Sequence, residues 1–210
     1  MKYLLTVLLS GLLIILMYLY QSNHLKQIIK LHQEDNELLL VKKMDAEIYE
    51  TLREYEIDFN GNRMSSSLNI YDFKQQLLSL KESINEDKII LYISEEQCNT
   101  CIDSLIVYLK ATPLFTEKKI SIWIKSLNLR YIHWFKEQHK IESELLYKTT
   151  PEIENKLLDI ESPYLFILEK GTMRINSFFI PRKDKPQFTL KYLNGIKKKY
   201  FDKNEETTFY

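Results

Sequence analysis

The residues best equipped for chemistry are the chain's two cysteines, Cys98 and Cys101, in the run Glu95-Glu96-Gln97-Cys98-Asn99-Thr100-Cys101. They stand at CxxC spacing between a predicted strand and a predicted helix. Cys98 falls at the helix start, where free backbone N–H groups and the helix dipole favour a thiolate. A thiol with a lowered pKa is the better nucleophile near neutral pH. Cys101, one turn further in, is the more buried of the two and is placed to attack a mixed disulfide formed at Cys98. Glu95 and Glu96 put negative charge beside Cys98 and work against the dipole.

Two other uses of the pair stay open at this point. A closed Cys98–Cys101 disulfide can staple a helix start without turning over, as happens in oxidising compartments. A zinc site needs two more ligands, and His133 and His139 lie six apart on a predicted helix, so they do not share a face. No metal ligand set is therefore assigned. His24, His32, His133 and His139 form no nucleophile–base arrangement, and Trp123 and Trp134 read as core aromatics. There is no GxGxxG or GxxxxGK[ST] run, so no nucleotide cofactor is expected.

The elements that must position the cysteines follow from apolar periodicity. Lys88 to Ser94 is a short β-rich run suited to a strand buried on both faces. Asn99 to Lys110 carries Ile102, Leu105, Ile106 and Leu109 on one stripe and reads as a helix. Lys119 to Lys125 alternates as a strand, and Leu127 to His139 as a helix. Thr150 followed by Pro151 looks like an N-cap with a first-turn proline. Tyr164 to Leu168 and Met173 to Ile180 flank Lys170-Gly171 as an antiparallel hairpin. A last amphipathic helix spans Phe188 to Phe201, before a polar tail. Tyr71 to Ile84 is also read as a helix.

Ahead of this lies a different kind of sequence. Tyr3 to Tyr20 contains no charged residue, and at about 1.5 Å rise per residue it nearly spans a bilayer core of about 30 Å. Tyr3, Tyr18 and Tyr20 sit at its ends, where amphipathic rings favour the interface. No small-x-small cleavage site follows, so an uncleaved anchor is expected over residues 1–22. From Leu25 to about Ile57 there is no Gly or Pro, and apolar residues recur at spacings of three and four. Residues 23–67 are therefore expected to form a helical stalk and linker, compatible with a homodimer through the stalk. Asn60-Gly61-Asn62 is a stop signal, and the globular domain is expected over residues 68–210.

Composition narrows the function classes. Lys plus Arg and Asp plus Glu both total 29, for a formal net charge of zero, so no global basic field draws nucleic acid. Hydrophobic residues make up 45%, enough for a packed core.

The order of these elements resembles the thioredoxin fold over roughly residues 70–201: strand, CxxC at a helix start, strand, helix, then Ser162-Pro163 before a hairpin and a closing helix. The fold class so implied is α/β, a thioredoxin-like central sheet flanked by helices, here preceded by a transmembrane helix and a stalk. The resemblance implies a cis Ser162–Pro163 bond facing the cysteines, with Pro163 contacting substrate. It also implies thiol–disulfide exchange with client proteins in the cell envelope, the domain facing the extracytoplasmic side. Gln97 stands where family oxidoreductases commonly carry tryptophan, and Asn99-Thr100 where they often carry Gly-Pro or Pro-His. The other reading of the same fold is a non-enzymatic, membrane-tethered interaction module with a structural disulfide.

Overall fold

The computed structural model describes residues 2–202, with the side chains of residues 2–16, 19, 25, 28, 29, 32 and 37 outside the description. The chain forms two compact units, Met1–Thr51 and Leu52–Tyr210. Helix α1 (Lys2–Phe59) makes up the first and supplies the opening residues of the second. The expected anchor over residues 1–22 has most of its side chains outside the described set, and the polar tail from residue 203 lies outside it altogether. Among the described residues no helix is long and apolar enough to cross a membrane.

The second unit continues with β1 (Asn69–Asp72), β2 (Leu77–Ser79), α2 (Leu80–Ser83), β3 (Lys88–Ser94), α3 (Asn99–Lys110), α4 (Pro113–Thr116) and β4 (Ile120–Lys125). Then come α5 (Leu129–His139), β5 (Leu146–Lys148), α6 (Pro151–Glu154), β6 (Tyr164–Leu168), β7 (Ile175–Phe179) and α7 (Pro186–Ile196). The last helix runs on as a π-helical turn, Lys197–Phe201. The strands form one sheet in the order β2-β1-β5-β4-β3-β6-β7. β3 pairs in parallel with β4, and β4 with β5; β6 is antiparallel to β3, and β7 to β6.

Alternation along the central strands builds two cores. Ile89, Leu91 and Ile93 of β3 and Ile120, Ile122 and Ile124 of β4 pack with α3, α5 and α7. Ile90, Tyr92, Trp123, Tyr164 and Phe166 face the other way, onto Leu80, Ile84, Ile153 and Phe59. Both faces being covered, β3 reads as an unbroken apolar run.

Two expectations, on residues 71–84 and on Trp134, are corrected by the packing. The second compact unit runs from Leu52. Phe59 is only 2% exposed and meets the rings of Phe178, Phe166 and Tyr164 edge-on at 5.1, 5.6 and 6.1 Å. Met64 is buried beside it. Residues 71–84 are chiefly a β-hairpin and not a helix. Asp72 accepts from Gln76 N–H through its carboxylate at 2.8 Å, and Gln75 takes φ 65°, closing a turn with no glycine. Only Leu80–Ser83 is helical, opened by a capping box in which Ser79 and Glu82 exchange bonds. Finally, Trp123 is fully buried, whereas Trp134 is 46% exposed and belongs to the surface of α5.

Candidate dithiol site

β3 ends at Ser94, and the chain turns through Glu95-Glu96-Gln97 before α3 begins at Asn99. Cys98 is the N-cap of α3, extended at φ −62° and ψ 109°. It is exposed and Cys101 half-buried, and both are free thiols. The Cys98 side chain closes no capping hydrogen bond of full geometry. Cys101 nonetheless presents its thiol and N–H to the Cys98 sulfur, with Thr100 adding a smaller contribution, and together they hold the Cys98 thiol below its ordinary range. The Cys101 thiol is pushed up, first by burial and then by its bond to Cys98, with Lys183 pulling weakly the other way. The two sulfurs thus differ in access and in acidity.

Of the two acidic neighbours, Glu95 is held locally. Ser126 Oγ donates to the Glu95 carboxylate at 2.5 Å, and Glu95 N–H donates to Lys125 O at 3.1 Å, tying the end of β3 to the end of β4. The groups that set the Cys98 thiol are Cys101 and Thr100.

Gln97, the residue before Cys98, is 7% exposed. Its Oε1 accepts from Ser94 N–H at 2.9 Å, and its Nε2 donates to Ile160 O and to Ser162 O, each at 2.9 Å. This carboxamide fastens the segment that leads into β6 to the residue just before Cys98. The signal in the sequence was weak: a glutamine between two acids and a cysteine looks like solvent-facing loop.

Pro163 is buried at the entrance to β6, one residue beyond the Gln97–Ser162 bond. The described chain contains no cis peptide bond, so the expected cis Ser162–Pro163 is corrected to trans. His133 meets the Phe73 ring at 4.8 Å, and His139 lies 3.4 Å from Asp103.

No family model and no curated protein matches the chain. Solved structures do. A candidate electron transfer protein from Aquifex aeolicus VF5 is 16% identical, with 64% of this chain and 92% of that one covered and a TM-score of 0.49. A thiol:disulfide interchange protein from Bacteroides sp. is 15% identical, covering 66% and 92%, at 0.46. Peroxidoxin BcpB from Mycobacterium tuberculosis is 10% identical, covering 65% and 97%, at 0.47. The chain's own topology carries the assignment. A β3–α3–β4 unit with CxxC at the head of α3, a β6–β7 hairpin on the far side of β3 and a closing α7 are joined in the order β4-β3-β6-β7. The unit from Leu52 onward is a thioredoxin-like fold.

Proposed function

We propose that the protein exchanges thiols and disulfides with client proteins through Cys98 and Cys101. The carrying observation is the inequality of the two sulfurs: Cys98 exposed and favoured as thiolate, Cys101 recessed and favoured as thiol. In the reducing direction, the Cys98 thiolate attacks a client disulfide, and the displaced client sulfur leaves as a thiolate and takes up a proton. Cys101 then gives up its proton and attacks Cys98 Sγ. The second client thiol is released, and two electrons have passed from the pair to the client. The oxidising direction is the reverse of these steps. The 160–162 segment, fastened to Gln97, and Pro163 after it are the surface assigned to the client in this reading. No cofactor enters this scheme.

The same proposal includes an anchor over residues 1–22, resting on the charge-free run Tyr3–Tyr20. The dithiol unit then faces the extracytoplasmic side, where disulfides are made and broken, and the intervening helix offers a surface for a homodimer.

The reduction potential of the Cys98–Cys101 couple tests the exchange reading. A purely structural disulfide lies below about −300 mV, and an exchanging pair above it. A value in the structural range would favour the tethered interaction module.

A further inference from the structure

We propose that Gln97 is the positioning residue of the dithiol site, its carboxamide holding the turn that presents Cys98 and the 160–162 segment in one fixed arrangement. The inference rests on the reading of Cys98 as the exchanging thiol and adds to it the group that aims that thiol.

Three backbone partners from two separate stretches converge on this side chain: Ser94 N–H, Ile160 O and Ser162 O, all at 2.9 Å. Both amide hydrogens and one carbonyl lone pair are used, which is most of what a glutamine can offer. The backbone of Gln97 adds a bond from its N–H to Ser94 O at 3.1 Å. A side chain 7% exposed and satisfied on both ends is held in a single rotamer by what surrounds it. Cys98, the next residue, points no apolar group into a core and makes no capping bond of its own. Its approach to the helix start is therefore inherited from the residue before it. The same carboxamide sets the position of Ser162, the residue before Pro163. One group thus holds both the turn before the nucleophile and the segment that leads into Pro163.

Removing the carboxamide leaves one N–H and two carbonyls in a partly buried place without their partner, and such groups re-pair by moving. The residue-95-to-98 turn is what moves. The Cys98 sulfur then leaves the polar groups of Cys101 and Thr100 that favour its anion.

The test uses the full chain carrying Cys101→Ser, so that a single thiol reports while residue 101 keeps its N–H and a hydroxyl donor and Thr100 is unchanged, and reads the alkylation rate of Cys98 by iodoacetamide against pH. Gln97→Leu is expected to shift the midpoint of that profile upward by about one unit, slowing alkylation near neutral pH roughly tenfold. Gln97→Asn, one methylene too short to reach both sides, is expected to shift it in the same direction by a smaller amount, and it serves in place of Gln97→Leu if that variant does not fold. Leu114→Ala, a core cavity beneath the start of β4 and at the other end of the sheet, controls for general loosening and is expected to lower the melting temperature with no shift of the profile. An unchanged profile in folded Gln97 variants, or an equal shift in Leu114→Ala, overturns the proposal. Because alkylation needs no turnover, this result is independent of whether the wild-type pair exchanges with clients. An inactive wild type would end the exchange reading and leave the positioning measurement standing.

Discussion

Ser126 and Glu95 join the ends of two neighbouring parallel strands, the serine hydroxyl donating to the carboxylate at 2.5 Å. The bond occupies a negative charge that stands three residues before Cys98. Ser126→Ala releases it. Alkylation of Cys98 near neutral pH should then slow by about threefold, about half a unit of upward shift in the thiol. Glu95→Gln in the same background should restore the rate, and a variant pair with no such difference would show that Glu95 has no reach to the sulfur.

The pH profile of the wild-type thiols offers a second test. Cys98 is lowered and Cys101 raised from the ordinary 9.0. Labelling at rising pH should modify Cys98 first, with a midpoint under 9.0, and Cys101 only at higher pH. Peptide mapping by mass spectrometry distinguishes the two, and simultaneous labelling would contradict the inequality.

Stability in mild acid should depend on His139. Its side chain is 10% exposed, and burial outweighs the pull of Asp103, so its pKa falls below the ordinary 6.5. As pH drops, the unfolded chain takes up that proton before the folded one does. This contribution to stability is therefore intact above pH 6.5 and is lost as pH falls towards the lowered folded value. Melting temperature should decline as pH falls below about 6.5, ahead of the carboxylates. His139→Leu should flatten that stretch, and an unaltered slope would assign it elsewhere.

The boundary of the folded unit is testable by truncation. Phe59 closes an edge-on aromatic cluster with Tyr164, Phe166 and Phe178. Phe59→Ala should cost about 3–5 kcal/mol in urea unfolding. A fragment starting at Leu68 loses both Phe59 and Met64 and should melt well below one starting at Leu52, and equal melting would place the boundary at Leu68 after all.

Much of the fold could be read from the chain because the signals were local. The run Lys88–Ser94 is apolar at every position a two-sided strand requires, and the stripe Ile102, Leu105, Ile106, Leu109 has the period of a helix. The hairpin at 69–79 was hidden because Tyr71, Leu77, Leu78 and Leu80 also suit a helical stripe. Its turn uses Asp72 and Gln75 where glycine or asparagine usually announces one. β5, at Leu146–Lys148, is too short to show a period and exists by pairing with β4 and β1. At the site, Cys98 and Cys101 were legible from spacing. Gln97 was not, since its three partners lie in the turn and in a segment more than sixty residues on, which only tertiary structure brings together.

The central claim concerns two cysteines of unequal duty, and trapping in cells tests it most directly. Full-length Cys101→Ser and Cys98→Ser proteins are recovered after acid quenching and run on non-reducing gels with and without reductant. Cys101→Ser keeps an exposed attacking thiol with nothing to release it, so reductant-sensitive adducts with other proteins should accumulate. Cys98→Ser keeps only the recessed, less acidic thiol and should form far fewer. Equal patterns, with neither variant collecting partners, would contradict exchange and leave the pair as a staple at the head of α3.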